Sequence, residues 1–298
     1  MKKQILENKK AEMSSSMLVT IILLVIGFGL ILIVYYQLNG IQEVDRQVCH
    51  QSVVLRGTLP DTLDLKDLPS LKCKTRKICI SDKMFGKGDC ENELGKEYDT
   101  LKISKEKEKA EQDIKKIFAD ELADCWAMMG EGKIQVFKRE GLPPKDLCVI
   151  CSRINFDKNV DVSEVSGLSE YLIKKRVPNK DMSYFQFLTN SKTLDYSFSS
   201  SEIDKLDTKE KAIIFTEFYE TKYTQMLLMI PVGVLSLKLT FVAGPLIGGV
   251  FFLAGGKIVE NVAKSVTGDP DYFSSIYIAD YDANNITKLG CDVIKSIP

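Results

Sequence analysis

The sequence predicts an α+β fold carried behind an N-terminal transmembrane helix. Three observations predict it: an uncharged apolar run from Met17 to Tyr36, eight cysteines that all follow that run, and a later chain in which helix-period and strand-period segments alternate. Together they describe a disulfide-stapled mixed ectodomain with an antiparallel hairpin and an amphipathic helix.

The apolar run is twenty residues long, fourteen of them Leu, Ile, Val or Phe. At about 1.5 Å per residue it covers the roughly 30 Å of a bilayer's hydrocarbon, and inserting it gains on the order of 4 to 8 kcal/mol. A cleaved secretory signal is the weaker reading, because such a core is shorter and no A-x-A site follows. Lys2, Lys3, Lys9 and Lys10 crowd the N-terminal flank, so the positive-inside rule keeps that end cytoplasmic and puts the rest outside, at the plasma membrane.

The chain of 298 residues has a net charge of −1, which indicates no basic footprint for nucleic acid. Membrane lipid and other envelope proteins are the expected partners. The more than two hundred residues after Gly40 suffice for a hydrophobic core, and a 45% hydrophobic fraction argues against disorder.

The cysteines, Cys49, Cys73, Cys79, Cys90, Cys125, Cys148, Cys151 and Cys291, are even in number and read as up to four disulfides in an oxidising exterior. Eight cysteines allow on the order of a hundred pairings, and sequence does not choose among them. A zinc site built on Cys148 and Cys151 with Cys73, Cys79 or His50 lacks the second C-x2-C pair of a ribbon, so no metal or other cofactor is expected.

Before the apolar run, Lys9, Lys10, Ala11, Ser14 and Leu18 match the pattern of the class III signal peptides of archaeal pilin-like proteins, and this end of the chain resembles that family over about twenty-five residues. The resemblance implies cleavage between Ala11 and Glu12. Glu12 stands where the family usually has Gln, and Ser16 where it carries the Glu that meets a neighbouring subunit's amino terminus. Those departures count against filament assembly.

The expected divisions are a basic leader over 1–16, the membrane helix over 17–37, an α+β domain over 41–231, an apolar Gly-rich segment over 232–266, and a strand and helix over 267–298. Residues 41–101 read as loops and short strands, with Val53-Val54-Leu55 and Lys77 to Ile80 extended. From about Lys102 to Met129, Ile114, Ile117, Phe118, Leu122, Cys125 and Met129 recur at three and four residues, an amphipathic helix ended by Gly130 and Gly132. Trp126 is expected to be half buried. Asp146 to Phe156 is rich in β-branched residues and predicts a strand, on which Cys148 and Cys151 point to opposite faces.

Leu168 to Lys175 reads as a short helix, Tyr184 to Leu188 as an aromatic segment, and Lys211 to Pro231 as a hairpin turning near Glu220-Thr221-Lys222. Val232 to Gly256 is apolar but holds Pro245 and several glycines, so membrane insertion is near break-even, and buried, membrane-lying and membrane-crossing forms all stay open. Ser274 to Ala279 reads as a strand, Asn284 to Ile297 as helical in its first half, and Asn285-Ile286-Thr287 as a glycosylation sequon.

No catalytic motif can be read. The only histidine, His50, adjoins Cys49, and neighbouring side chains diverge on a strand, so they form no nucleophile–base pair. The first expectation is a membrane-anchored extracytoplasmic structural or interaction protein, with pilin-like assembly as a subordinate form. The others are a membrane-bound thiol–disulfide or metal-dependent enzyme using Cys148 and Cys151, and a subunit of a multi-pass complex.

Overall fold

The computed structural model describes residues 15–35, 41–59, 70–134, 136, 147–189, 205–219, 240–242, 272–282 and 293–295. The chain divides into two compact units, Met1–Arg46 and Gln47–Pro298.

In the first unit, α1 (Ser15–Tyr35) covers the apolar run. Its side chains face outward all round the helix, with Leu24 68% and Ile31 67% exposed. The expectation of a transmembrane helix is corrected: among the described residues no helix is long and apolar enough to cross a membrane. The leader, with Ala11 and Glu12, lies outside the described residues.

α2 (Ile41–Thr58) replaces the extended segment expected at Val53-Val54-Leu55. Cys49, Ser52 and Val53 are buried while Leu55 is exposed, a helical spacing in which tertiary burial overrides the β-branched pair. Ser52 Oγ donates to the Cys49 carbonyl at 2.7 Å and accepts from the Lys72 N–H at 3.1 Å. The Cys49–Cys73 disulfide adds a covalent tie between α2 and the approach to the sheet.

The sheet begins with β1 (Arg76–Ser81), followed by α3 (Glu91–Leu94) and β2 (Asp99–Lys102). α4 (Lys107–Met128) is the amphipathic helix, its buried stripe running through Ala110, Ile114, Phe118, Leu122 and Cys125. It ends as expected at Gly130, whose φ is +80°. The Gly130 N–H donates to the Ala127 carbonyl at 3.1 Å and the Glu131 N–H to the Trp126 carbonyl at 2.9 Å, the paired bonds of a Schellman stop. Trp126 is wholly buried rather than half buried, its ring 6.0 Å from that of Phe215.

β3 (Leu147–Phe156), β4 (Glu164–Ser166), α5 (Leu168–Lys174), α6 (Tyr184–Thr189), β5 (Lys205–Asp207), β6 (Lys211–Tyr219), β7 (Thr240–Val242), β8 (Tyr272–Asp280) and β9 (Val293–Lys295) complete the described elements. The large sheet runs β2-β1-β3-β6-β8-β7, with β9 also paired to β3; β4 and β5 form a separate two-stranded sheet. β1 is parallel to both β2 and β3, while β6 is antiparallel to β3 and β8. The fold is therefore mixed, with a parallel half that the α+β expectation lacked. α4 lies against β3 and β6, and α5 and α6 against α4.

The expected hairpin is a second correction. Both edges of β6 are occupied, by β3 and by the distant β8, so its antiparallel partner is not the next stretch of chain. The expected turn and return limb, 220–231, lie outside the described residues. So does most of 232–266, within which Thr240–Val242 is a strand paired to β8. The expected helix, in the first half of 284–297, also lies outside the described residues, and β9 falls in the second half of that stretch.

Cys125–Cys151 bolts α4 to β3 across a loop of 26 residues. In the chain-entropy account such a bridge contributes about 3 kcal/mol. Replacing Cys125 and Cys151 together by Ala is expected to lower the urea midpoint by that amount of stability, read by far-UV circular dichroism; an unchanged midpoint would show the helix–sheet packing to suffice without the bond.

Candidate functional site

β1 and β3 run parallel and end side by side, with Ile80 opposite Phe156. The C-terminal ends of parallel strands form the usual ligand crevice of an open sheet. Here Asp157 occupies it, with its side chain fully buried. Its Oδ2 accepts from Ser81 Oγ at 2.9 Å and the Asp89 N–H at 3.0 Å, and meets Lys83 Nζ at 3.0 Å. Its Oδ1 accepts from the Asn159 N–H at 3.3 Å and Asn159 Nδ2 at 3.1 Å. Burial alone would raise this carboxyl, but Lys83, the Asp89 amide, Ser81 and the Asn159 amide outweigh it and hold it at about 2.

With so many donors supplied by the chain, Asp157 is a clamp on the loop Asp82–Asp89 rather than a ligand group. The same loop is closed by the Cys79–Cys90 disulfide. Tyr98 Oη donates to the Gly88 carbonyl at 2.7 Å, the Gly88 N–H donates to Thr100 Oγ1 at 3.2 Å, and Lys102 Nζ donates to the Gly86 carbonyl at 2.7 Å. Gly88 passes so close to the bridge that a Cβ there would stand 2.5 Å from Cys79 Sγ. The clamped loop presents Met84, 75% exposed, and Phe85, 85% exposed, the two most exposed large apolar side chains among the described residues. A loop held in this way has lost its ordering entropy on folding, so little remains to be lost on any contact it makes.

The residues singled out from sequence are distributed elsewhere. Cys148 and Cys151 do face opposite ways: Cys148 packs with Ile150, Ala212, Ile214 and Ala279, whereas Cys151 sits in the main core. Cys151 is bonded to Cys125, and Cys148 is itself disulfide-bonded. The C-x-x-C spacing is thus not a dithiol pair, and Cys73 and Cys79 are committed to Cys49 and Cys90. Cys291 lies outside the described residues. His50 is exposed on α2, its Nδ1 3.3 Å from the Met128 carbonyl, a bond that needs the Nδ1–H tautomer. Among the described residues no group of three or more His, Cys, Asp or Glu side chains is arranged to hold a metal.

Sequence reading passed over Lys83-Met84-Phe85-Gly86-Lys87, although an apolar pair between two cysteines in a Gly- and Lys-punctuated loop was the available signal. It also passed over Glu217, whose alternation on β6 puts it on the core face with Ile213 and Phe215. Glu217 is buried between the cross-strand positions Leu147 and Ser274. Its Oε2 accepts from the Val136 N–H at 3.3 Å, and its Oε1 has no hydrogen-bond partner among the described residues. Burial pushes the carboxyl up to about 8, against the downward pull of the Val136 amide and Arg56.

No protein-family model, curated protein or solved structure matches the chain.

Two outcomes follow from this geometry. Gly88→Ala is expected to loosen the loop without touching its tip, read as faster amide exchange across residues 82–89; unchanged exchange would place the loop's rigidity outside the disulfide contact. Glu217 carries a pH signature of definite sign. Its folded value of about 8 lies above its ordinary 4.5, so between these values the native state binds the extra proton and stability falls as pH rises. The slope is at most about 1.4 kcal/mol per pH unit, and Glu217→Gln is expected to remove it from urea titrations at stepped pH.

Proposed function

We propose that this chain is a membrane-anchored structural or interaction protein of the cell envelope, with its disulfide-stapled domain outside the cytoplasm and the Met84–Phe85 loop as its contact point. The observation that carries the reading is the pairing of an exposed, uncharged apolar helix with a domain whose every described cysteine is oxidised. Helix α1 exposes apolar side chains all round, which supports attachment to a membrane without a crossing, and disulfides persist where the compartment is oxidising.

The rest of the site is consistent with binding rather than turnover. The buried carboxylate at the strand ends is saturated by its own chain. The cysteines of the C-x-x-C spacing support stability on two separate faces of the sheet. Pilin-like processing at Ala11–Glu12 remains a subordinate form of the same proposal, resting on the leader sequence alone.

The test is fractionation of cells expressing the full chain, followed by thiol labelling of intact cells with a membrane-impermeant maleimide. The chain is expected to stay with carbonate-washed membranes and to label only after reduction. Recovery in the supernatant, or labelling without reduction, would overturn the proposal.

A further inference from the structure

We infer that the tip Met84–Phe85 is a lipid-contacting wedge that seats in an anionic membrane surface, with Lys87 and Lys102 meeting the headgroup phosphates. This rests on the membrane reading above and names the partner of its contact loop.

Three features favour lipid over a protein pocket. The first is size: two side chains fall far short of the roughly 800 Å² per partner of a stable protein interface, whereas a bilayer needs no matching patch. The second is the apex backbone. The Gly86 carbonyl already accepts from Lys102 Nζ at 2.7 Å, and the Lys83 N–H donates to Ser81 Oγ at 3.2 Å. Entering a poorly hydrated interface therefore strands fewer polar groups than a bare turn would.

The third feature is charge. Lys87 is exposed, with its ammonium 5.2 Å from the centre of the Tyr98 ring, and Lys102 is exposed beside the apex. Among the neck's carboxylates, Asp157 meets Lys83 at 3.0 Å, Asp89 meets Lys158 at 3.8 Å, and Asp82 acts on the same Lys83, while Glu91 and Glu93 stay exposed behind the neck. An apolar tip flanked by the two ammonium groups of Lys87 and Lys102 matches an interface of acyl chains beneath phosphates.

The test uses the full chain carrying Phe85→Trp, with the parent chain giving the constant background of buried Trp126. Each is reconstituted in phosphatidylcholine vesicles with and without phosphatidylglycerol. With the anionic lipid, the introduced indole is expected to emit at shorter wavelength and to be quenched by brominated acyl chains. Lys87→Gln and Lys102→Gln are each expected to lower the ratio of quenched to unquenched emission about fivefold. If the chain floats with the vesicles but the indole emits as in water, the wedge is overturned and the anchor reading stands. If the chain does not float, the anchor reading fails and the wedge with it. Equal quenching in phosphatidylcholine alone overturns the anionic assignment.

Discussion

The rest of the structure depends on how β3 is held. Its shared edge is divided between β1 and β9, its other edge pairs with β6, and core material covers both faces. The register with β6 shifts between Ile150 and Ser152. Val149 before the bulge and Cys151 within it belong to the main core; after it Ile154 and Phe156 do. One extra residue moves the core face from odd to even positions, as a bulge must in a period-two element. That shift lets Cys151 reach α4 while Arg153, beyond the bulge, turns to the other face and pairs with Glu210 and the Tyr281 ring.

Around this strand, the covalent ties sit where packing alone leaves the chain loosest. Cys49–Cys73 secures a helix whose intrinsic preference is mixed, and Cys79–Cys90 closes a loop with few apolar contacts of its own. The loop's stiffness comes from the small cluster of Cys79, Cys90 and Leu94 with Tyr98 against it, together with the Asp157 clamp. A domain stapled in this way presents apolar side chains at its surface without losing order there.

Three buried charged positions show three different solutions to desolvation. Asp157 is surrounded by donors and stays ionised. Lys211, nearly inaccessible on β6, lies between Asp207 and Asp280 and so links β5, β6 and β8 by charge. Glu217 lacks a comparable set of donors, and the neutral form becomes the favoured one. The outcome at each position follows from the number of opposing partners and not from depth of burial.

Local pattern sufficed for α4, its Gly130 stop, β1, β3, α5 and β8, because a buried face writes its period into neighbouring residues. The opposite orientation of Cys148 and Cys151 was legible for the same reason. What the sequence left open were relations between distant segments: the cysteine partners, the pairing of β6 with β8, and the parallel β1–β2–β3 half, all set by three-dimensional closure. Val53-Val54 also went the other way, as Cys49 and Val53 gained burial on one helical face. At Met84–Phe85 the Gly and Lys punctuation signalled a loop, but only the three-dimensional structure shows that the apolar pair is exposed. By itself the sequence determined an oxidisable, apolar-headed chain with an amphipathic helix and several strands. Only the tertiary structure decided which apolar side chains were packed in the core and which stayed exposed, because burial depends on segments far apart in the chain.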